Sequence, residues 1–319
     1  MKILVTGAAG FIGSRVMADL AKRGDAVVGV DNFNDYYDVR LKEGRCKAFG
    51  LDVKHLDIAD KAAVDALFEA ERFDKVVNLA AQAGVRYSIS NPYAYLQSNL
   101  TGFLNILEAC RNNGVKHLVY ASSSSVYGLN AKVPYSEQDK VDAPVSLYAA
   151  TKKSNELMAH AYCKLYGIAM TGLRYFTVYG PWGRPDMSPM LFANAISKGE
   201  PIQVFNGGAM IRDFTYIDDI VAGTIGCVDH EPAPDANGLP FRVYNIGCSH
   251  PVKLMDFIAE LEKAMGNEAK KEFLPMQPGD VYQTNADTSL LEKEIGYKPK
   301  VRLPEGIAKF VEWYKNWNA

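Results

Sequence analysis

The sequence predicts an α/β protein in which a doubly wound parallel sheet is followed by a smaller domain of mixed α/β structure. Short apolar runs alternate with segments of helical periodicity along the first half of the 319 residues, which is typical of βαβ units. A glycine-rich turn separates the first apolar run from the first helical segment. After Val178 the alternation stops, and Gly, Pro and aromatic residues crowd a loop at 179–186, where neither kind of element can continue.

The elements are predicted in chain order from the spacing of their apolar residues. A first strand ends at the glycine-rich turn, and a helix begins directly after it at Phe11. The predicted strands are 2–6, 26–30, 75–79, 117–121 and 170–175. The predicted helices are 11–21, 61–71, 93–112 and 148–166, with 254–265 in the second half of the chain.

A domain boundary is expected at the loop after Val178. We assign 1–178 to the sheet domain and 179–319 mainly to a domain that binds substrate. Two later segments, roughly 213–228 and 241–248, are expected to return to the sheet domain.

Composition excludes several classes of protein. Hydrophobic residues make up 48% of the chain and charged residues 23%, so disordered and collagen-like proteins are excluded. The net charge of −2 provides no basic field for a polyanion, and no nucleic-acid partner is expected. No apolar run approaches the roughly 20 residues that span a bilayer, so no membrane partner is expected.

Cysteine spacing and the N-terminus indicate the compartment. The five cysteines lie far apart, without the spacing of a zinc site or a disulfide framework. Met1 leads straight into the first predicted strand, without a signal sequence. We therefore expect no metal, reduced thiols and a cytoplasmic location.

The glycine-rich turn at 6–13 carries glycines at G-x-x-G-x-x-G spacing. Glycine permits a tight turn and the close approach of a pyrophosphate, which the amides of the helix N-terminus stabilise. Asp31 ends the second strand, where a carboxylate accepts hydrogen bonds from the adenosine ribose hydroxyls and repels a 2′-phosphate. The pattern predicts a Rossmann-type fold that binds NAD rather than NADP.

A tyrosine and a lysine predict acid/base chemistry. Tyr148 and Lys152 are four residues apart, which places them on one face of a helix. A phenol with a pKa of about 10 is a weak base at neutral pH, but a nearby ammonium favours the phenolate. The serines at 122–125 follow a strand end, and strand ends meet at the ligand crevice of a doubly wound sheet.

Together these motifs resemble the extended short-chain dehydrogenase/reductase family of nucleotide-sugar enzymes, over essentially the whole chain. The motifs that carry the resemblance are the glycine-rich turn, 78–81, 122–128, 148–152 and 212–219. Within the family, the chain is most similar to the branch of UDP-glucuronate 4-epimerases, on the residues at 31–37, 80–88 and 174–187.

The resemblance implies roles for individual residues. Tyr148 would be the base, Lys152 its partner, and Ser123 the donor of a hydrogen bond to the sugar oxygen. NAD would contact Gly7, Gly10, Phe11, Ile12, Gly13, Asp31, Asn32, Asp57, Ile58, Leu79, Ala80, Ala81, Gln82, Asn99, Tyr148 and Lys152. The UDP-sugar would contact Arg86, Ser124, Ser125, Thr177, Arg184, Gln203, Phe205, Arg212 and Asp280.

The implied reaction inverts C4 of the sugar through a transient 4-keto form, converting UDP-glucuronate to UDP-galacturonate. Thr177 stands where galactose-type epimerases carry Asn, a departure that favours a differently decorated sugar. Gln277 stands where some relatives carry a second Arg near Asp280, a departure from the family's diphosphate contacts. The resemblance also implies a homodimer, in which helices 93–112 and 148–166 pair across a twofold axis.

Several alternatives stay open at this point. The substrate could instead be UDP-glucose or UDP-N-acetylglucosamine. Dehydratases and UDP-glucuronate decarboxylases of this family usually carry an acidic residue before V-Y-G, and 122–128 contains none. A sensor or scaffold that binds NAD without catalysis would not need Ser123, Tyr148 and Lys152 together.

Overall fold

A computed structural model of the chain describes residues 1–277 and 279–317. The strands are β1 (Lys2–Thr6), β2 (Ala26–Asp31), β3 (Val53–His55), β4 (Lys75–Asn78), β5 (His117–Ser123), β6 (Ala169–Tyr175), β7 (Thr177–Tyr179), β8 (Pro201–Phe205), β9 (Ile211–Arg212), β10 (Phe214–Tyr216), β11 (Phe241–Ile246), β12 (Val252–Lys253) and β13 (Lys270–Leu274). The helices are α1 (Phe11–Lys22), α2 (Val39–Phe49), α3 (Lys61–Glu71), α4 (Tyr87–Ser90), α5 (Pro92–Tyr95), α6 (Gly102–Asn112), α7 (Leu147–Tyr166), α8 (Ser188–Lys198), α9 (Ile217–Asp229), α10 (Leu254–Met265), α11 (Ser289–Ile295) and α12 (Leu303–Trp317).

Seven strands form one parallel sheet in the order β11-β6-β5-β4-β1-β2-β3. The predicted α/β class with a doubly wound parallel sheet is therefore confirmed. The chain runs outward from β1 through β2 to β3 and then returns to the other side of β1 at β4. The segments that leave β1 and β4 diverge at this reversal, and a crevice opens outside the carboxyl ends of the two strands.

Alternate residues of the sheet strands supply two cores, one on each face. On β1, Ile3 and Val5 belong to one core and Leu4 to the other. On β4, Val77 and Val76 divide in the same way. Strands buried on both faces read as continuous apolar runs, which is why the sequence shows them so clearly.

The predicted helix at 93–112 differs from the structure in its first half. There the short helix α5 is followed by a π-helical turn at Leu96–Thr101, and α-helix resumes at α6. The wider turn contains Asn99, whose buried side chain bonds the backbone of Gln82. Periodicity predicts a helix here but not the local change of winding, because this contact comes from a distant segment.

The second half of the chain contains more helix than its apolar pattern suggests, including α8, α9 and α12. Strand β11 pairs with β6 in the main sheet, and α9 packs against α1. The division into two domains stays a prediction. Pro278, Asn318 and Ala319, which fall in the predicted second domain, lie outside the described residues.

All five cysteines are free thiols. No helix within 1–277 and 279–317 combines the length and the hydropathy of a membrane span.

Candidate active site

Two adjoining cavities lie in the crevice at the strand reversal. The first, of about 350 Å³, runs from the glycine-rich turn past Asp31 to Tyr148. The second, of about 690 Å³, extends from there toward Gln203 and Phe205. They share part of their lining, namely Tyr36, Gly84, Val85, Ser124, Ser125, Thr177 and Met187.

The glycine-rich turn has a shape that only glycine permits. Gly7 has a φ of +68°, and a Cβ added there would lie 2.8 Å from the amide nitrogen of Ala80. A Cβ on Gly13 would lie 2.1 Å from the carbonyl oxygen of Gly7. The turn therefore presses against the segment after β4 and leaves the first amides of α1 facing the cavity, a cradle that fits the pyrophosphate of a dinucleotide.

Asp31 closes the far end of the first cavity. Its carboxylate accepts hydrogen bonds from the amides of Phe33 at 2.8 Å and Ala9 at 3.2 Å, which hold it beside the glycine-rich turn. Next to it, Asn32 donates to Asp57 over 3.0 Å. Asn32, Asp57 and Ile58 line the cavity beside Asp31, at the end where an adenosine ribose would lie.

Sequence reasoning missed Lys42, which lies on α2. Its ammonium is buried, 3.4 Å from a carboxylate oxygen of Asp31 and 3.1 Å from the side-chain oxygen of Asn34, and it lines the first cavity. The charge of Asp31 is therefore partly balanced within the protein. Helix α2 was not among the predicted helices. A lysine in a largely polar segment also gives no sign that it will be buried beside Asp31.

The segment after β4 forms one wall of the first cavity. Leu79, Ala80, Ala81 and Gln82 line it. Asn99 lies behind this wall: it accepts a hydrogen bond from the Gln82 amide at 2.8 Å and donates to the Gln82 carbonyl at 3.0 Å. Its expected contact with a cofactor stays a prediction, and the contacts seen in the structure orient Gln82.

Helix α7 brings Tyr148 and Lys152 into the lining of the first cavity. Ser146 caps the helix by accepting a hydrogen bond from the amide of Ala149 at 3.1 Å, so the first turn with Tyr148 is well defined. The ammonium of Lys152 donates to the carbonyl of Ala121 at 2.8 Å. Burial lowers the pKa of Lys152 to about 8, because a buried ammonium loses its hydration.

Ser123 joins this pair from the end of β5. Burial raises the pKa of the Tyr148 hydroxyl, and a side-chain hydrogen bond with Ser123 counteracts part of that rise. The hydroxyl of Ser123 also caps the 3-10 helix Ser124–Tyr127 by accepting from the amide of Ser125 at 3.2 Å. The structure thus brings together the three residues predicted to act on the sugar.

Four of the residues predicted to contact the UDP-sugar line the first cavity, and three of them also line the second. Ser124, Ser125 and Thr177 line both cavities. Arg184 lines the first cavity, and its Nε donates to Asp186 at 3.0 Å. Tyr36, which sequence reasoning did not assign, donates to the same carboxylate at 2.9 Å.

The second cavity contains the other residues predicted to contact the UDP-sugar, namely Arg86, Gln203, Phe205, Arg212 and Asp280. Gln203 and Phe205 line it from β8. The guanidinium of Arg86 lies 4.9 Å from the ring centroid of Phe205 and 3.7 Å from the carboxylate of Asp280. Arg212 donates to the carbonyl oxygens of Val281 at 2.7 Å and Tyr282 at 3.0 Å, and burial lowers its pKa.

Comparison with known proteins decides the family. The model of the NAD dependent epimerase/dehydratase family matches residues 3–247. The chain belongs to this family. A probable UDP-glucuronate 4-epimerase of Rhizobium meliloti (strain 1021) is 47% identical to this epimerase/dehydratase chain over 98% of it and 97% of the relative. UDP-glucuronate 4-epimerase 3 of Arabidopsis thaliana is 49% identical, over 98% of the chain and 76% of the relative.

Among solved structures, the epimerase/dehydratase chain is similar to a UDP-glucuronic acid 4-epimerase from Bacillus cereus, crystallised with UDP-glucuronic acid and NAD. The TM-score is 0.91 and the identity 36%, over 99% of this chain and 100% of that one. The family suggested by the sequence motifs is therefore confirmed.

Proposed function

We propose that this protein is an NAD-dependent 4-epimerase of a UDP-hexuronic acid, which converts UDP-glucuronate to UDP-galacturonate. The observation that carries the proposal is the meeting of Ser123, Tyr148 and Lys152 in the first cavity, which also contains the glycine-rich turn and Asp31. Ser124 and Ser125, which follow Ser123, line both cavities. The relatives named as UDP-glucuronate 4-epimerases support the choice of substrate.

The cofactor cavity fits NAD. The glycine-rich turn would hold the pyrophosphate, Asp31 the adenosine ribose, and Lys152 the nicotinamide ribose. When bound, NAD supplies a hydride acceptor and donor, so C4 can be oxidised and reduced again without net redox change.

Tyr148 acts on the proton of the sugar 4-hydroxyl. It withdraws this proton while C4 is oxidised and returns it when C4 is reduced from the opposite face. Ser123 donates to the same sugar oxygen and fixes its distance from the phenol. The charge of Lys152 favours the phenolate once substrate and cofactor exclude water.

A uronate substrate imposes a second requirement. The 4-keto form carries a ketone β to the C6 carboxylate, which readily loses carbon dioxide when the C5–C6 bond aligns with the carbonyl π system. Ser124, Ser125 and Thr177 present hydroxyls at the junction of the cavities, where they hold the carboxylate out of this alignment. The acid-free segment 122–128 avoids repulsion of the carboxylate.

One observation favours a second candidate, a 4-epimerase of UDP-glucose or UDP-N-acetylglucosamine. Arg184 is paired with Asp186, so the site holds no uncompensated cation there for a uronate. Incubation with UDP-glucuronate, UDP-glucose and UDP-N-acetylglucosamine, with the C4 configuration of each product read by NMR, tests the proposal. Preferential epimerisation of UDP-glucose would replace it by the neutral-sugar candidate.

We also propose a homodimer. Large apolar side chains are exposed on α5, the π-helical turn, α6 and α7, namely Tyr93, Leu96, Leu104, Leu157 and Leu165. A second copy of the chain packed by a twofold axis would cover this helical face. The free cysteines support the proposal of a reducing, cytoplasmic location.

A further inference from the structure

A buried ion pair lies directly behind the candidate active site. Glu156 of α7 and Arg174 of β6 each have side chains that are 4% exposed. Nε of Arg174 donates to one oxygen of Glu156 at 2.8 Å, and Nη2 donates to the other at 2.9 Å. Neither residue lines either cavity, so the pair is not placed to touch a substrate or a cofactor.

The pair extends at both ends into segments that carry site residues. The hydroxyl of Ser122, the neighbour of Ser123, donates to Glu156 at 2.7 Å. Nη1 of Arg174 donates to the hydroxyl of Tyr127 at 3.0 Å, and that hydroxyl donates to Asn245 at 2.7 Å. Tyr127 ends the 3-10 helix that begins with Ser124.

Both charged residues lie on elements that also lead to site residues. On α7, Glu156 follows Lys152 by one turn and Tyr148 by two. On β6, Arg174 stands just before the segment that begins β7 at Thr177. One continuous network therefore links the four segments that carry Tyr148, Ser123, Ser124 and Thr177.

We propose that the Glu156–Arg174 pair is a positioning device for the epimerisation, which fixes the phenol of Tyr148 relative to the serine loop and to Thr177. This inference rests on the proposed function. The two-bond geometry of a guanidinium on a carboxylate fixes angle as well as distance. An apolar contact between α7 and β6 would hold them together without setting the register of one on the other.

The interaction between the two side chains keeps both of them ionised, and the ionised pair retains its two hydrogen bonds. Burial opposes the ionisation of Glu156, but hydrogen bonds and charge from Arg174 outweigh it and hold the pKa of the carboxyl below its usual value. A buried ion pair generally adds little to stability compared with apolar side chains of the same volume. The presence of this pair next to the site is therefore better explained by its effect on the positions of the site residues than by a contribution to the free energy of unfolding.

The test compares turnover and stability in three variants. Glu156→Gln turns an amide donor toward Arg174, Tyr127→Phe removes one hydroxyl from the far end of the network, and a Glu156→Met/Arg174→Met double variant removes both charges together. We expect each to lower kcat for the wild-type substrate by about tenfold or more, with KM changed less than about twofold. With UDP-glucuronate we also expect more released 4-keto-pentose per epimer.

The matched control is Thr171→Val. Thr171 of β6 and His117 of β5 are fully buried and joined by a hydrogen bond of 2.9 Å. This contact lies toward the start of β5 and β6, whereas Ser122 and Arg174 lie toward their carboxyl ends. The Tm of this control should fall by about as much as the Tm of the network variants. Its kcat and its product ratio should stay at the wild-type values.

Two results would overturn the positioning role. The first is a stable double variant with wild-type kcat and product ratio. The second is a fall in kcat that follows the loss of Tm equally in the control and in the network variants. If the wild type epimerises only a neutral UDP-sugar, the proposed function fails, and the same kcat comparison on that sugar still tests the pair.

Discussion

The ammonium of Lys152 donates a 2.8 Å hydrogen bond to the carbonyl oxygen of Ala121, which lies in the central strand β5 two residues before its end. This contact joins α7 to β5 beside the first cavity. The contact holds the ammonium in a buried position. Burial of this charge reduces the free energy of unfolding by an amount that depends on pH.

Burial of Lys152 predicts that the stability of the protein depends on pH. Burial lowers the pKa of Lys152 from 10.5 to about 8, so between these values the unfolded chain binds more protons than the folded protein. Stability therefore rises with pH across this window. The wild type should gain on the order of 3 kcal/mol relative to Lys152→Met from pH 8 to 10.5, measured by urea unfolding of both proteins at several pH values. A constant difference would show that the folded pKa is not depressed.

Removal of the Tyr148 hydroxyl should separate chemistry from binding. Tyr148→Phe deletes the titrating oxygen and keeps the ring that packs 6.0 Å from Tyr95. We expect kcat to fall by about 10² to 10⁴, with Tm and bound NAD unchanged. Turnover close to that of the wild type would remove Tyr148 from the proton transfer.

The pairing of Asp31 with Lys42 predicts how cofactor choice can be altered. In Asp31→Asn the repulsion of a 2′-phosphate is lost while the nearby ammonium remains. The ratio of NADP to NAD affinity should rise by about tenfold or more, measured by calorimetry on cofactor-free protein. An Asp31→Asn/Lys42→Met variant is the control and should lose most of the gain. Equal ratios in both variants would contradict a role for Lys42.

Thr177 should matter more for a uronate than for a neutral sugar. Thr177→Ala removes one hydroxyl from the junction of the cavities. We expect kcat/KM for UDP-glucuronate to fall about fivefold to tenfold, with a smaller effect on UDP-glucose and a higher ratio of 4-keto-pentose to epimer. NMR of the product mixture measures both effects. If neither appears, the assignment of this part of the site to a carboxylate is wrong.

The exposed helical face predicts the oligomeric state. Light scattering at micromolar concentration should give twice the mass of the chain. Leu157→Arg places a charge in the face, where Leu157 is 60% exposed, and should give monomers; Phe273→Arg, at a 56% exposed residue of β13, is the control. A wild type with the mass of one chain would contradict the homodimer.

The sequence by itself determined five of the seven strands of the main sheet, the glycine-rich turn and the position of Tyr148 one turn before Lys152, but not β3 and β11. These features are local: a strand buried on both faces must be apolar throughout, and a turn pressed against Ala80 must be glycine. The spacing of residues within one element therefore carries the information.

The tertiary structure alone decided the contacts between distant segments. Lys42 lies beside Asp31, Arg86 lies on the ring of Phe205, and Arg174 binds Glu156. Each of these contacts depends on how a helix or loop packs on the sheet, and hydrophobic periodicity sets which face is buried but not which polar group it meets there. The buried charges behind and within the site were placed by that packing, because a buried charge must find its partner wherever the fold brings one.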